Sequence, residues 1–573
     1  MFSLRSSRAA RHPATSLPAP RILASTRVPA PLTTSPVTPL RSTSLVMLAS
    51  LVMLADGGCS SASDSSPVES QSTSGLNSSA SASAPGGDSG LSSGTDDPGT
   101  TGDGDDDGPA GTTGGSSDPT PPPPDAPELG DMVGQEQSDA CDLATPVSLG
   151  LRTLDAAATV SPTLARDAAL SGWVSLSGIR IRPWEFFNYY TFDYPPAEPG
   201  LVTVTPHLAQ EPGAEGLWTL QVGVTTAAMP ADLRPPLHLT LALDNSNSMA
   251  GKAQDMLRAT GKAIAGSLRA GDTLSIVTWN AKTATVLELH PVSGADDPVI
   301  LDKLDKLEIG GSAELYSGLM AAYKLAESAY DPAHWNRVVL VSDGGATATE
   351  TDLGVIAEQA NKQSGIYLSG VGVGDPGNYR SDLMDAAAHA GRGASLFVGS
   401  VEEADKRFGP QFVRTLGAAV RDIDVQIDLP PGFTLVRESA ADTLNDPLQT
   451  GSLRLAPNAS LVLHRSLSNC TTIDPAAKLL VRVGFIDEAT GESKEVKTAV
   501  KLETLLAEQP AALAKGSAVQ AYASALQRWQ VSPADLAIAL KDALDRLATA
   551  LSLLPNDPEL AEIAKVLTVL GEG

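Results

Sequence analysis

Hydrophobic and polar positions follow a series of distinct patterns along the chain. An isolated apolar run, eleven residues long and interrupted only by Ser50, occupies 45–55, and residues 57–130 then contain almost no large apolar side chain. From 237 to 420, short apolar runs alternate with segments of helical periodicity. Residues 422–502 alternate apolar and polar positions with a period of two, and residues 510–570 are rich in Ala and Leu. The period of two predicts strands, and the helical period predicts amphipathic helices.

The segment 237–420 predicts an α/β fold. Its continuous apolar runs are typical of strands that are buried on both faces, and helical segments separate them. This alternation predicts a doubly wound, mainly parallel sheet of Rossmann-like type with helices on both faces. The short connection between the strands at 273–279 and 283–289 predicts one antiparallel edge hairpin, and a single helix is predicted at 401–420.

Two β-rich segments and a helical region flank this predicted domain. Residues 141–236 are expected to form an N-terminal β-rich region, and residues 421–505 a small β-sandwich or a single sheet. Residues 506–573 are expected to be helical. Seven aromatic residues lie between Trp184 and Tyr194, and such a concentration is more typical of a packing centre than of a ligand platform.

The N-terminus has the features of an export segment. The apolar run at 45–55 is too short to span a bilayer and has the length of a signal-peptide core. It ends at Gly57-Gly58-Cys59, which resembles the lipidation motif of bacterial lipoproteins, although Asp56 replaces the usual aliphatic residue. We therefore expect 1–58 to direct export and Cys59 to carry a lipid that anchors the protein in the cell envelope, at the outer membrane or in the periplasm. A buried helix and an organelle transit peptide are the alternatives.

Charge is distributed unevenly. The chain has a net charge of −27, and residues 56–142 contain 17 acidic residues but no Lys or Arg. Segment 59–140 is predicted to be a solvated, self-repelling linker, although its acidic cluster at 103–107 is also compatible with weak calcium binding. So acidic a chain is expected to repel nucleic acid. The remaining cysteines, Cys141 and Cys470, either pair as a disulfide in an oxidising compartment or are unrelated thiols.

Polar residues follow two of the predicted buried strands. Asp244, Ser246 and Ser248 come directly after the strand at 237–243, and Asp343 follows the strand at 337–342. A Gly-rich segment that ends at Ser312 lies between them. In a doubly wound sheet, ligands bind beyond the carboxyl ends of the strands. Carboxylate and hydroxyl oxygens suit Mg²⁺, which prefers six oxygen ligands in octahedral geometry. A degenerate site without metal is the alternative.

These motifs resemble the metal-ion-dependent adhesion site of von Willebrand factor type A domains. The resemblance implies the strand order 3-2-1-4-5-6 and a metal held by Asp244, Ser246, Ser248, Ser312 and Asp343. At the second loop this sequence departs from the usual pattern, so either Ser312 replaces the ligand or Ala313 occupies its position. The resemblance does not choose Mg²⁺ over Ca²⁺ or Mn²⁺. The segments EFFNYYTFDYP and QAYASALQRW are similar to parts of a bacterial family of type A lipoproteins.

The resemblance implies a binding protein whose metal contacts an acidic side chain on a protein partner. Catalysis is not expected, because the seven His residues are scattered and no HExxH, G-x-S-x-G or Walker motif occurs. A metal-gated adaptor or assembly subunit for an envelope or ATPase complex is the alternative function.

Overall fold

The structure is a computed structural model that describes residues 147–572, except 152–156, 174–175, 177, 362–364, 437–453, 509 and 531–532. Its strands are β1 (Val147–Leu151), β2 (Val202–Gln210), β3 (Leu217–Thr226), β4 (Leu237–Asp244), β5 (Thr273–Trp279), β6 (Ala284–Pro291), β7 (Trp335–Ser342), β8 (Tyr367–Val373), β9 (Arg392–Val398), β10 (Val420–Leu429), β11 (Phe433–Leu435), β12 (Arg454–Leu455), β13 (Ser460–Asn469), β14 (Lys478–Asp487) and β15 (Ser493–Lys501). Its helices are α1 (Val160–Leu170), α2 (Pro183–Tyr189), α3 (Lys252–Ser267), α4 (Pro298–Asp305), α5 (Leu315–Ser328), α6 (Glu350–Asn361), α7 (Ser381–Ala390), α8 (Val401–Phe408), α9 (Phe412–Leu416), α10 (Leu502–Leu506), α11 (Ala511–Trp529), α12 (Pro533–Leu553) and α13 (Pro558–Glu572).

The central feature is a six-stranded sheet in the order β6-β5-β4-β7-β8-β9. All neighbouring strands are parallel except β5 and β6, which form the predicted antiparallel edge hairpin. The sheet is covered on both faces, because β4 and β7 contribute alternate side chains to two different hydrophobic clusters. The predicted α/β fold and its strand order are confirmed.

The helix predicted at 401–420 is interrupted. Helix α8 ends at Phe408, α9 occupies Phe412–Leu416, and β10 begins at Val420. The break falls at Gly409-Pro410, because proline has no backbone N–H to donate and disfavours helical backbone in the residue before it. The single-helix prediction is therefore wrong, and the short α9 instead directs the chain into the next sheet.

Two antiparallel sheets form one sandwich beside the parallel sheet. One has the order β1-β10-β14-β15, with β12 paired to β10, and the other has the order β11-β13-β3-β2. Apolar residues of both sheets share one core. The sequence predicted separate β-rich regions at 141–236 and 421–505, whereas the structure joins them through β3 and β13, for example at Val222 opposite Leu463. Strand alternation reveals which segments are strands but not which distant segments pair.

Helix α2 lies at the centre of the contacts between these parts. Its Phe186 is fully buried and meets Tyr522 of α11 edge to face, with ring centroids 5.4 Å apart. Arg182, which precedes α2, bonds Asp385 of α7 at 2.8 Å. The aromatic segment is therefore part of the core, as its composition predicts, and it joins the C-terminal helices to the parallel-sheet domain.

Several sequence predictions fall outside the described residues. These are the export segment 1–58, lipidation at Cys59, the linker 59–140 and the cysteine Cys141. Cys470 is disulfide-bonded, and both other cysteines of the sequence lie outside the described ranges. No helix in the described part of the chain is long and apolar enough to cross a membrane.

Candidate metal centre

The first loop begins where β4 leaves the sheet. Alternating apolar side chains fix β4 between its neighbours, and its last residue, Asp244, is fully buried. The Ser246 backbone N–H donates to Asp244 Oδ1 at 2.9 Å, and Ser342 Oγ at the end of β7 donates to Asp244 Oδ2 at 2.7 Å. Both carboxylate oxygens are therefore held in fixed directions, and this side chain connects two adjacent strand ends.

Two serine hydroxyls point to one place beyond Asp244. A 3-10 turn at Asn247–Met249 follows Ser246, and it brings Ser246 Oγ to 3.1 Å from Ser248 Oγ. Ser246 is buried, whereas Ser248 is exposed. The pair thus forms a short bridge of hydroxyl oxygens from the interior to the surface.

The third loop places a second carboxylate beside Ser248. The Asp343 backbone N–H donates to Met249 Sδ at 3.2 Å, so the turn of the first loop holds the start of the third. The Gly345 backbone N–H donates to Asp343 Oδ1 at 2.8 Å. A Cβ atom added at Gly345 would lie 2.9 Å from Asp343 Oδ1 and 3.0 Å from Ser248 Oγ, so these two groups face the same small space.

Backbone hydrogen bonds join the second loop to the first. The Gly310 N–H donates to the Asn245 carbonyl, and the Asn247 N–H donates to the Gly311 carbonyl, both at 2.8 Å. Gly311 has a φ of 84°, which a residue with a side chain adopts only at a cost. The glycine-rich sequence therefore lets this loop lie directly against the serine-bearing turn.

Ser312 is the candidate whose role the geometry supports least. Its side chain is exposed, and within the described residues no hydrogen bond joins it to the other four candidates. The next residue, Ala313, packs against the core on which α5 lies. Asp244, Ser246, Ser248 and Asp343 thus lie together, with Ser312 at the margin of the same group of loops.

The buried carboxylate is electrostatically unusual. Burial raises the pKa of Asp244 above its ordinary value, and the hydrogen bonds from Ser342 and Ser246 oppose that rise. The nearby Asp343 adds a smaller upward contribution through charge repulsion. Two carboxylates at one edge of the sheet thus produce a local negative potential that favours the binding of a cation.

Sequence reasoning missed three residues that shape this centre. The Ser342 hydroxyl donates a hydrogen bond to Asp244, and the Met249 sulfur accepts one from the backbone N–H of Asp343. Gly345 has no side chain and therefore leaves space between Asp343 and Ser248. Each of them is adjacent to, or two residues from, a candidate ligand, so position alone was the available signal. Their contacts cross between loops, which spacing along the chain does not reveal.

Comparison with known proteins shows which family the segment that carries these loops is similar to. Residues 239–346, which include all three loops, match the profile of the von Willebrand factor type A domain family. The chain contains a von Willebrand factor type A domain. An uncharacterized protein of Escherichia coli (strain K12), YfbK, is 26% identical over 264 residues, which cover 44% of this chain and 45% of that protein. An uncharacterized protein of Synechocystis sp. is 24% identical over 217 residues, covering 37% of this chain and 49% of the relative.

The matched segments therefore cover about half the length of these curated relatives. Among solved structures, a von Willebrand factor type A protein from Catenulispora acidiphila aligns with a TM-score of 0.39 and 15% identity, covering 61% of this chain and 86% of that one. The ArnB paralog VWA2 from Sulfolobus acidocaldarius aligns with a TM-score of 0.34 and 13% identity, covering 64% and 98% of the two chains.

The donor set of the type A domain fits a hard divalent cation. Adjacent ligands of an octahedral ion with bonds of about 2.1 Å stand about 3 Å apart. The 3.1 Å between Ser246 Oγ and Ser248 Oγ matches that spacing. Within the described ranges no three His, Cys, Asp or Glu side chains converge on a possible metal position, so the candidate set depends on its two hydroxyls.

Proposed function

We propose that the type A domain binds a divalent cation through Ser246, Ser248, Asp244 and Asp343, and that this ion binds an acidic side chain of a protein partner. The observation that carries the proposal is the 3.1 Å hydroxyl pair flanked by two carboxylates at the carboxyl edge of a parallel sheet. Mg²⁺ is the first candidate because all donors are hard oxygens, with Ca²⁺ and Mn²⁺ as alternatives. Ser312, on the second loop, is the proposed further ligand.

The four candidate residues would contribute to ion binding in different ways. Ser246 and Ser248 present hydroxyl oxygens to it directly. Asp244 already accepts one hydrogen bond on each oxygen, so its contribution is chiefly negative charge and the orientation of retained water. Asp343 Oδ1 accepts from Gly345, which orients the carboxylate beside Ser248. A bound divalent ion would supply a fixed positive charge that a carboxylate from another protein can approach.

Metal titration tests the first half of this proposal. We expect Mn²⁺, followed by its electron paramagnetic resonance, to bind once per chain and to be displaced by Mg²⁺. Asp244→Ala should abolish binding, because it removes a buried charge from the centre. Asp382→Ala is the matched control, since Asp382 is an exposed aspartate on α7. Unchanged Mn²⁺ binding by a folded Asp244→Ala variant would refute the site.

Partner capture tests the second half. Immobilised protein should retain a protein from envelope extract in Mg²⁺ and release it in EDTA, and the Asp244→Ala variant should retain none. Retention that survives both EDTA and the substitution would show that binding does not use the metal.

The proposed location is the cell envelope, with a lipid on Cys59. Support comes from the apolar run at 45–55 and the Gly-Gly-Cys sequence that follows it. Labelling cells with a clickable palmitate analogue should mark the unmodified protein but not the Cys59→Ala variant. Equal labelling of both would exclude this anchor.

A further inference from the structure

Helix α5, which follows the second loop of the candidate metal centre, exposes two large apolar side chains. Tyr316 and Met320 are 43% and 44% exposed. They lie four residues apart and therefore on one face of the helix. We call this pair the α5 patch. Single exposed apolar residues are common on protein surfaces, so the position of this pair matters more than its exposure.

The α5 patch lies beside the candidate metal centre. Asp244 on β4 is paired in register with Trp279 at the end of β5. A Cβ atom added at Gly318 of α5 would lie 2.5 Å from Trp279 Cβ, so the first turns of α5 pack directly against the end of that strand. Neighbouring strands of a sheet are about 4.8 Å apart. Helix α5 therefore begins one strand away from Asp244, at the same edge of the sheet.

The direction of the helix inclines the α5 patch toward the loops. Helix α5 starts at Leu315, three residues after Ser312, and runs from the carboxyl edge of the sheet toward the edge at which β7 begins. In an α-helix the Cα–Cβ bonds tilt toward the N-terminus, so Met320 leans over the turn that carries Tyr316. Both side chains therefore extend toward the edge of the sheet that carries Ser312.

The connection between the α5 patch and the metal centre is short and fixed at both ends. The Asn247 N–H of the first loop donates to the Gly311 carbonyl of the second, with 2.8 Å between nitrogen and oxygen. Ala313, between the second loop and α5, packs against the hydrophobic core. A group bound at the metal and a group bound at the α5 patch would therefore be held at a nearly constant separation.

Charged residues on the two sides of the centre differ in sign. Strand β4 lies between β5, on which α5 packs, and β7, which carries the third loop. The backbone N–H of Arg380 donates to the Asp343 carbonyl at 3.1 Å, and the Arg380 side chain is exposed, so an arginine adjoins the third loop. Glu314, also exposed, precedes α5. An acidic group of a partner is therefore favoured at the centre and toward the third loop, and an uncharged group over the α5 patch.

We propose that the α5 patch binds a large apolar side chain that stands within two residues of the acidic side chain on the protein partner. This inference rests on the proposed function, in which the partner's carboxylate binds the metal. In an extended segment, side chains two residues apart lie on the same face, about 7 Å from each other. Tyr and Met are enriched at protein interfaces, and the flexible thioether of Met adapts to the shape of a bound side chain.

Binding of the labelled full chain to an array of synthetic peptides, in Mg²⁺, tests the inference. Each peptide has one Glu in a background of Gly and Ser, and one position within two residues of the Glu is varied. Peptides with Leu, Met, Phe or Trp at that position should bind about tenfold or more tightly than those with Ser, because a large apolar side chain leaves water on binding. The double variant Tyr316→Ser, Met320→Ser should lose this preference and keep its Mn²⁺ affinity, whereas Tyr316→Phe with Met320→Leu should keep both. Leu544→Ser is the matched control, since Leu544 is 42% exposed on α12, and it should keep the preference.

The outcomes separate this inference from the proposed function. Mg²⁺-dependent binding that ignores the varied residue, or a preference that survives in the double variant, would overturn the inference and leave the metal site intact. Failure to bind any peptide, by a protein that binds Mn²⁺, would overturn it too. Dimerisation that the double variant abolishes would assign the α5 patch to a second copy of the chain. Peptide binding that persists both in EDTA and in Asp244→Ala would instead refute the proposed function.

Discussion

Some residues beside the candidate metal centre hold its loops together without being candidate ligands themselves. Ser342 is the clearest of these, because its hydroxyl donates to Asp244 Oδ2 and accepts from the Gly344 N–H at 3.0 Å. One side chain thus fixes the first loop and the third loop together. Outer hydrogen bonds of this kind orient ligands and tune their affinity for a metal.

Substituting Ser342 should therefore weaken metal binding without removing a ligand. We expect Ser342→Ala to raise the Kd for Mn²⁺ by about 10- to 100-fold, and Ser342→Thr, which keeps the hydroxyl, to restore most of the affinity. Ser369→Ala is the control, because Ser369 is equally buried on β8 and its hydroxyl accepts from Ala394 N, away from the loops. An Mn²⁺ affinity that does not distinguish the two alanine variants would contradict this role.

Gly345 should be important for its lack of a side chain. A Cβ atom there would press on both Asp343 Oδ1 and Ser248 Oγ, so Gly345→Ala is expected to separate these groups and reduce Mn²⁺ affinity. Gly354→Ala in α6 serves as the control, since its Cβ would meet nothing within 4 Å. That control should leave metal binding unchanged and slightly raise the free energy of unfolding, because Ala favours helix over Gly. Equal metal affinity in both variants would refute the steric argument.

At the scale of single residues, the sequence predicted most of the candidate metal ligands. It predicted few of the residues that hold those ligands in place. Asp244, Ser246, Ser248 and Asp343 were found because each follows a strand that hydrophobicity alone predicts. Ser342 and Gly345 were not, because their importance arises from contacts between loops that are about 100 residues apart in sequence. Metal binding by the four candidates, and by Ser312, stays a prediction.

At the scale of secondary-structure elements, a buried ion pair holds together the starts of two neighbouring strands of the parallel sheet. Arg234 precedes β4, and its two terminal nitrogens bond both oxygens of Asp272, which precedes β5. The same carboxylate accepts the backbone N–H groups of Leu237 and Arg269, both at 2.9 Å. Asp272 thereby aligns the starts of two neighbouring strands.

Loss of that carboxylate should be costly. Asp272→Ala is expected to lower the free energy of unfolding by about 3–5 kcal/mol, because it leaves the Arg234 charge buried without its partner. Asp305→Ala should cost less than about 1 kcal/mol, since its ion pair with Lys262 is largely exposed to water. Urea unfolding of the two variants measures the difference. A cost for Asp272→Ala as small as that of the control would show that the pair does not hold the strands.

Element types were predictable where one segment alone determines them. The six strands of the parallel sheet and its edge hairpin follow from continuous apolar runs and a short turn. The break between α8 and α9 had a local signal too, in Gly409-Pro410, although the helical period around it obscured that signal. The pairing of β3 with β13 had none, because it joins segments more than 200 residues apart.

At the scale of the whole molecule, the type A domain shares its core with the flanking regions. One hydrophobic cluster includes residues of the parallel sheet, of α1 and α2, and of α11, α12 and α13. Buried ion pairs cross the same boundary, from Arg182 to Asp385 at 2.8 Å and from Arg166 to Glu403 at 3.1 Å. The boundaries predicted at 236 and 420 therefore divide the sequence into segments that share one hydrophobic core in the structure.

Two buried ionisable groups in this shared region should make the free energy of unfolding depend on pH in opposite directions. Burial lowers the pKa of His464 to about 3, and its ring bonds Gln221 Oε1 at 2.8 Å. As the pH falls below 6.5, the unfolded state takes up a proton that folded His464 excludes, so stability is lost. Burial raises the pKa of Glu185 to about 7, because Arg182 compensates only in part and Asp385 adds repulsion. Folded Glu185 keeps a proton that the unfolded state loses above about pH 4.5, so stability is gained as the pH falls.

Between about pH 4.5 and 6.5 the two groups should nearly cancel, and single variants should reveal each of them. We expect the free energy of unfolding of His464→Gln to rise as the pH falls through this range, relative to the unmodified protein, with a slope of up to about 1.4 kcal/mol per pH unit. Glu185→Gln should show a relative slope of the opposite sign. Urea unfolding at four pH values across the range measures both slopes, and the control Asp305→Ala should show little difference in slope. Parallel stability curves for the unmodified protein and His464→Gln would mean that the histidine is not held neutral by the fold.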